Sequence, residues 1–335
     1  MESTSDRVRV FSGIQPTGVL HLGNYIGALR QWVAGQERRD NVFCVVDLHA
    51  LTIPEAVDPE RLGERVRSTA AQFLAAGVDP ERSIVFVQSH VREHSELAWL
   101  LSCVTPLGWL YRMTQFKSKS EGRESVGSGL LVYPVLQAAD ILLYDTDVVP
   151  VGEDQVQHVE ITRDIAERFN HLFGETFVAP RAELPKAGAR LMGLDDPEVK
   201  MSKSLEADRP GHLINLLDDE ATVTKKLMAA VTDSGRELRF EHASPGVKNL
   251  MTIAHIASGR SIEDIEAELE GEGYGTLKRL TAEAVNEMLS PFQRRYREFM
   301  DDRQTLEAIL ARGAARAREI ASATLGRAQR AMGVG

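Results

Sequence analysis

The chain has 335 residues, 43% of them hydrophobic and 26% charged, an ordinary globular mix that excludes a mini-protein, a disordered chain and a low-complexity filament. At roughly 150 residues per domain, this length predicts about two domains with sizeable cores. Its 39 Lys and Arg against 49 Asp and Glu leave a net charge of -10, which argues against coating nucleic acid by bulk electrostatics and leaves room for a local basic patch. Cys44 and Cys103 show no zinc or iron-sulfur spacing, and both read as buried small hydrophobes of a reducing compartment. The opening MESTSDR lacks the apolar stretch of a signal peptide, and no run reaches the ~18 apolar residues of a membrane span. The expected location is the cytoplasm, with no membrane partner.

Residues 8–11 form a short apolar segment followed by the turn-rich 13–18, which predicts a strand and then a loop. Leu22, Ile26, Leu29 and Val33 recur at helical spacing, with Trp32 beside them. Residues 42–46 read as a buried strand, 61–76 as a helix, 84–87 as a third β-branched run and 93–104 as a helix. After Tyr133-Pro134 a helix is predicted through Ala138 to Leu143, then a strand at 148–151 and a long amphipathic stretch with Val156, Val159, Ile165 and Phe169. Apolar strands alternating with helices predict a doubly wound α/β fold with a parallel sheet. Ligands of such sheets bind beyond the carboxyl ends of strands, so loops 12–24 and 152–155 are the candidate site. Beyond about residue 205 only helical patterns remain, predicting a second, all-helical domain.

Seven stretches bear on chemistry. Gly13 and Gly18 have P-loop spacing, but Val19-Leu20 follow where Gly-Lys-Ser/Thr would be required. His21-Leu22-Gly23-Asn24 stands at a loop-to-helix junction, where the histidine and asparagine suit either a nucleotide or a helix cap. Lys200-Met201-Ser202-Lys203-Ser204 places two cations and two hydroxyls in a loop able to gather on a triphosphate; a solvated charged loop is the plain alternative. His90-Val91-Arg92-Glu93-His94 matches the zinc-protease pattern His-x-x-Glu-His, but it straddles a strand-to-helix turn and predicts no metal site. Residues 113–129 read as a flexible connection with two lysines, either a lid or a surface loop. Asp140 lies in an apolar context and must meet a donor, while Gly152-Glu153-Asp154-Gln155 mark another strand-to-helix turn, where Asp154 suits a cap.

The stretches FSGIQPTGVLHLGNYIGALRQ, FCVVDLHALT, RMTQFKSKS, YPVLQAADILLYDTDVVPVGEDQVQH, KMSKS and AVTDS, spread from Phe11 to Ser234, resemble the class I aminoacyl-tRNA synthetases, most closely their bacterial tryptophanyl branch. The resemblance implies a Rossmann-like catalytic domain over 8–192, a KMSKS linker at 193–205, a helical anticodon-binding domain at 206–301 and a terminal helix at 302–330 that returns to the first domain. It implies ATP-dependent activation of L-tryptophan to the adenylate and transfer to tRNA(Trp), by a homodimer. ATP, with Mg2+, would be held by Gln15, Pro16, Thr17, Gly23, Asn24, Gly152, Glu153, Asp154, Leu191, Lys200, Met201, Ser202, Lys203 and Ser204. His21, Asn24, Lys119, Lys200 and Lys203 would be catalytic, and no structural metal is implied. Asp140 would accept the indole N–H, with Phe11, Gly13, Val46, His49, Tyr133, Gln137 and Gln155 around the substrate; many relatives have Met at the Gln137 place. Asp140 itself would be held ionised by donors such as Tyr133 or Gln155. For tRNA, the candidates are Arg294, Arg295, Arg297, Arg316 and Arg318. A tyrosyl-tRNA synthetase and a non-catalytic RNA-binding paralogue are the alternatives, separated by which amino acid, if any, drives exchange of pyrophosphate into ATP.

Overall fold

The computed structural model describes residues 7–184, 190–206 and 208–335. Five parallel strands, β1 (Arg9–Ile14), β2 (Asp40–Val45), β3 (Ile84–Val87), β4 (Val148–Pro150) and β5 (Arg181–Glu183), form one sheet in the order β3-β2-β1-β4-β5. Phe11 pairs with Val42, Val42 with Ile84, and Val10 with Val148. All four residues of β3 are buried, as are the last five of β2. This explains why these strands read as continuous apolar runs rather than alternating ones. The winding reverses between β1 and β4, so the carboxyl ends of these two strands flank the crevice where such sheets take ligands.

The helices are, in order, α1 (Leu22–Asn24), which runs through a π turn at Tyr25–Leu29 into α2 (Arg30–Gly35), then α3 (Pro59–Ala75), α4 (Glu93–Val104), α5 (Leu107–Tyr111), α6 (Thr114–Ser120), α7 (Ser128–Leu142) and α8 (Val156–Phe173). They continue as α9 (Glu220–Met228), α10 (Pro245–Ser258), α11 (Ile262–Glu268), α12 (Tyr274–Asp301) and α13 (Arg303–Met332). None is long and apolar enough to cross a membrane.

Contacts divide the described residues into two compact units, one within 7–18, 32–184 and 302–335, the other within 19–31 and 190–301. The first holds the sheet, with Cys44, Phe86, Leu97, Leu101 and Ile141 in its core. Here α13 lies against β3 and α4. Gly313 permits the approach, because a Cβ there would collide with the Val85 carbonyl. Arg316 donates to the carbonyls of Pro80 and Ser83 at 2.9 and 3.3 Å, and Arg318 to that of His90 at 2.5 Å. These two arginines fasten α13 to its own unit.

Three expectations are corrected. Helix α7 starts six residues before Pro134 and carries it inside. Proline gives up the N–H toward the preceding turn and its ring crowds the carbonyl four residues back, and the buried apolar face of this helix outweighs that cost. Residues 114–120, read as part of a flexible connection, form α6. Cys103 is exposed, because the buried stripe of α4 runs through His94, Leu97, Leu101 and Val104 and leaves position 103 outside.

The second unit is helical, with α10 and α9 packed on α12. Leu250, Ile253, Leu277, Val285 and Leu289 make its core, and Tyr25 meets Phe292 edge to face at 6.0 Å.

Candidate active site

In the sheet unit, the expected substrate residues gather at the carboxyl ends of the strands. Phe11 and Gly13 lie on β1, Gln15, Pro16 and Thr17 just beyond it, Val46 and His49 beyond β2, and Gly152 to Gln155 beyond β4. A Cβ on Gly13 would meet Val46 Cγ1 at 2.8 Å, so the glycine keeps these strand ends close. Glu153, Asp154 and Gln155 form a single 3-10 turn that leads into α8. Asp154 does not cap α8; its Oδ2 accepts from Gln155 Nε2 at 2.8 Å.

Asp140 is 1% exposed on α7. Gln88 Nε2 and His94 Nδ1 donate to its Oδ1 at 2.6 and 2.7 Å, and His49 Nε2 donates to its Oδ2 at 2.8 Å. Burial pushes this carboxyl upward, but the hydrogen bonds from His49 and His94 outweigh it and hold Asp140 well below the usual carboxylate range. The expected donors Tyr133 and Gln155 do not serve it. The Tyr133 hydroxyl shares a 2.7 Å hydrogen bond with His158 Nε2, and burial pushes it up to about 12. Lys119 Nζ sits 5.2 Å over the Tyr133 ring, and Gln137 is half-buried on α7.

Gln88 and Tyr144 are not among the site residues expected from the sequence. Gln88 directly follows β3 and also accepts from the Leu48 N–H through Oε1 at 3.1 Å, so its amide orientation is fixed. The available signal was its place at a strand's carboxyl end. His94 was flagged only within His-x-x-Glu-His. Both its nitrogens are engaged, Nδ1 by Asp140 and Nε2 by the Tyr144 hydroxyl at 2.8 Å. Glu93 turns instead to α13, where Ser322 Oγ donates to its Oε1 at 2.7 Å, and His90 ends a separate 3-10 turn.

In the second unit, His21 caps α1. Its Nδ1 accepts from the Gly23 N–H at 3.1 Å, while the His21 N–H donates to Asn24 Oδ1 at 3.1 Å. Burial first, then Lys203, Lys200 and His212, lower the His21 pKa to about 4. The ring is therefore neutral near pH 7, and the cap places its proton on Nε2. Capping and ligand binding are compatible here: one nitrogen caps while the other presents a donor. A Cβ on Gly23 would meet the His21 ring at 2.9 Å, so residue 23 must stay small for this cap.

The lysine loop lies in the same unit. Met201 is buried and its N–H donates to the Leu191 carbonyl at 3.0 Å, tying the two predicted ATP-side apolar residues together. Ser202 precedes a 3-10 turn over Lys203–Leu205 that includes Ser204. Lys203 Nζ donates to the Val19 carbonyl at 3.2 Å. His212, also missed from sequence, is fully buried with Nε2 3.2 Å from the Lys200 carbonyl and Nδ1 2.5 Å from Asp195 Oδ1.

Residues 3–290 match the family described as tRNA synthetases class I (W and Y). The chain belongs to that family. It is 52% identical to tryptophan--tRNA ligase 2 of Streptomyces avermitilis over 97% of this chain and 96% of the relative. It is also 52% identical to the tryptophan--tRNA ligase of Mycobacterium leprae, over 98% and 96%. The crystal structure of tryptophanyl-tRNA synthetase from Campylobacter jejuni complexed with ADP and tryptophan superposes with a TM-score of 0.86 at 38% identity, covering 98% of this chain and 100% of that one.

Proposed function

We propose that this class I synthetase is a tryptophan--tRNA ligase that activates L-tryptophan with ATP, releases pyrophosphate and transfers the aminoacyl group to tRNA(Trp), leaving AMP. The observation that carries the reading is Asp140, an ionised carboxylate buried at the strand ends with one acceptor position left on Oδ2. Indole has one N–H donor and no ring acceptor, so this carboxylate suits it. The half-identical relatives carry the same activity in their names.

Phe11, Gly13, Val46, His49, Tyr133, Gln137 and Gln155 surround tryptophan in this reading. Gln15, Pro16, Thr17, Gly23, Asn24, Gly152, Glu153, Asp154, Leu191 and Met201 hold ATP. The substrate carboxylate is already a nucleophile, so attack on the α-phosphorus needs no general base. Lys119, Lys200 and Lys203, with Ser202, Ser204 and the Nε2–H of His21, take up charge on the phosphates as the bond to pyrophosphate breaks; Mg2+ arrives with ATP and shares that task. Residues 8–192 serve as the catalytic domain with 193–205 as its signature loop, residues 206–301 contact the anticodon, and the exposed Arg294, Arg295 and Arg297 face tRNA. A homodimer in the cytoplasm completes the reading. Trp99, Leu107 and Tyr111 on α4 and α5 are 70, 60 and 53% exposed, and large apolar side chains of this kind suit a partner surface.

The test is ATP–pyrophosphate exchange by the purified protein with each of the twenty amino acids, followed by charging of tRNA(Trp). Tryptophan alone should drive both. Exchange with tyrosine would favour the sibling activity, and silence with every amino acid a non-catalytic RNA-binding role.

A further inference from the structure

We propose that His94, held in one tautomer by Tyr144, is a positioning residue that makes Asp140 selective for an indole N–H. The inference rests on the tryptophan reading above and names the groups that give its carboxylate a direction.

The argument is a proton count. An ionised carboxylate only accepts, with about two lone-pair sites on each oxygen. Gln88 Nε2 and His94 Nδ1 both donate to Oδ1, at 2.6 and 2.7 Å, and so fill it. His49 alone donates to Oδ2, at 2.8 Å. The remaining acceptor position is on Oδ2, and an incoming donor must go there.

His94 can contribute only if its proton sits on Nδ1. The opposite tautomer would aim a lone pair at the carboxylate. Tyr144 fixes the choice. Its hydroxyl is 2.8 Å from His94 Nε2, both residues are 0% exposed, and a buried hydroxyl must find an acceptor. Tyr144 therefore donates to Nε2, and Nδ1 carries the hydrogen. The ring of Tyr144 is held in turn by stacking on Phe11 at 5.6 Å with 9° between planes, and His94 packs against Phe86 at 5.7 Å. A relay of fixed polarity thus runs Tyr144 to His94 to Asp140. The histidine that completes a zinc-protease pattern in the sequence acts as a hydrogen-bond donor to a carboxylate.

The experiment compares tryptophan with 3-(benzothienyl)alanine, in which sulfur replaces the indole N–H, in ATP–pyrophosphate exchange. The variants are His94→Leu, His94→Asn and Tyr144→Phe. Asparagine keeps an N–H near the place of Nδ1; leucine does not. The wild type should favour tryptophan by a wide margin. His94→Leu should reduce that margin by about a hundredfold, a charge-assisted hydrogen bond's worth, and His94→Asn should restore most of it, with KM for ATP unchanged in both. Tyr144→Phe preserves the stacked ring, which keeps the test available should His94→Leu fail to fold, and should narrow the margin by about tenfold. Equal losses for both amino acids, leucine and asparagine variants that behave alike, or a Tyr144→Phe protein with the full margin would overturn the inference while leaving the function standing. A wild type that does not use tryptophan would overturn the function and the inference with it.

Discussion

At His158, burial and the neighbouring ammonium of Lys119 lower the imidazole pKa to about 4, against the opposing pull of Asp154 and with a smaller push from His49. The unfolded chain binds this proton near pH 6.5 and the folded chain does not, so the fold gains nothing from it below pH 4. Its stabilising effect is present above 6.5 and is lost as pH falls from about 6.5 to 4, with an upper bound of about 3 kcal/mol. Unfolding free energy measured by denaturant across that window should fall less steeply for His158→Gln than for the wild type. Identical slopes would contradict it. His21 adds to the same window through the same kind of shift. At this scale the sequence was partly legible. A carboxylate in the apolar run of α7 had to have donors, and Asp140 does. Which donors was not legible, because Gln88, His49 and His94 come from three segments that only the sheet brings together.

Among the elements, α13 shows how two glycines in one helix differ in meaning. A methyl group at Gly313 would press into the Val85 carbonyl, while at Gly326 it would meet only the movable end of Arg330, at 3.3 Å. Gly313→Ala should destabilise by about 1–3 kcal/mol through overpacking. Gly326→Ala should stabilise by up to about 1 kcal/mol through helix propensity. Opposite shifts in the denaturant midpoint check the pair, and two shifts of the same sign would contradict the packing account. The periodicity of 306–325 disclosed α13 as a helix, but its small residues gave no hint of so close an approach to a strand. Pro134 misled in the other direction, since its usual place is a helix start and here it lies well inside α7. In the signature loop, Lys203→Ala should slow adenylate formation by about a hundredfold, on the order of 3 kcal/mol, with tryptophan affinity nearly unchanged, because charge builds on pyrophosphate only in the transition state. Pre-steady-state kinetics separate the two; weaker binding at an unchanged rate would make Lys203 a ground-state contact.

For the molecule as a whole, alternation of apolar runs was enough to indicate the parallel sheet and its helical companion. The crevice between β1 and β4 follows from strand order, which sequence periodicity does not report. Arginine-rich composition near the end proved ambiguous: Arg316 and Arg318 hold α13 in place, whereas Arg294, Arg295 and Arg297 are exposed. The central claim is that this synthetase selects tryptophan through the buried carboxylate. It is tested most directly by ATP–pyrophosphate exchange with tryptophan, tyrosine and phenylalanine, run side by side on the wild type and Asp140→Ala. The wild type should prefer tryptophan over phenylalanine by a factor on the order of ten thousand, as expected of a site built to hydrogen-bond its substrate. Asp140→Ala should lose most of that preference and keep its KM for ATP. A wild type driven best by another amino acid, or an Asp140→Ala protein that still rejects phenylalanine while activating tryptophan normally, would contradict it.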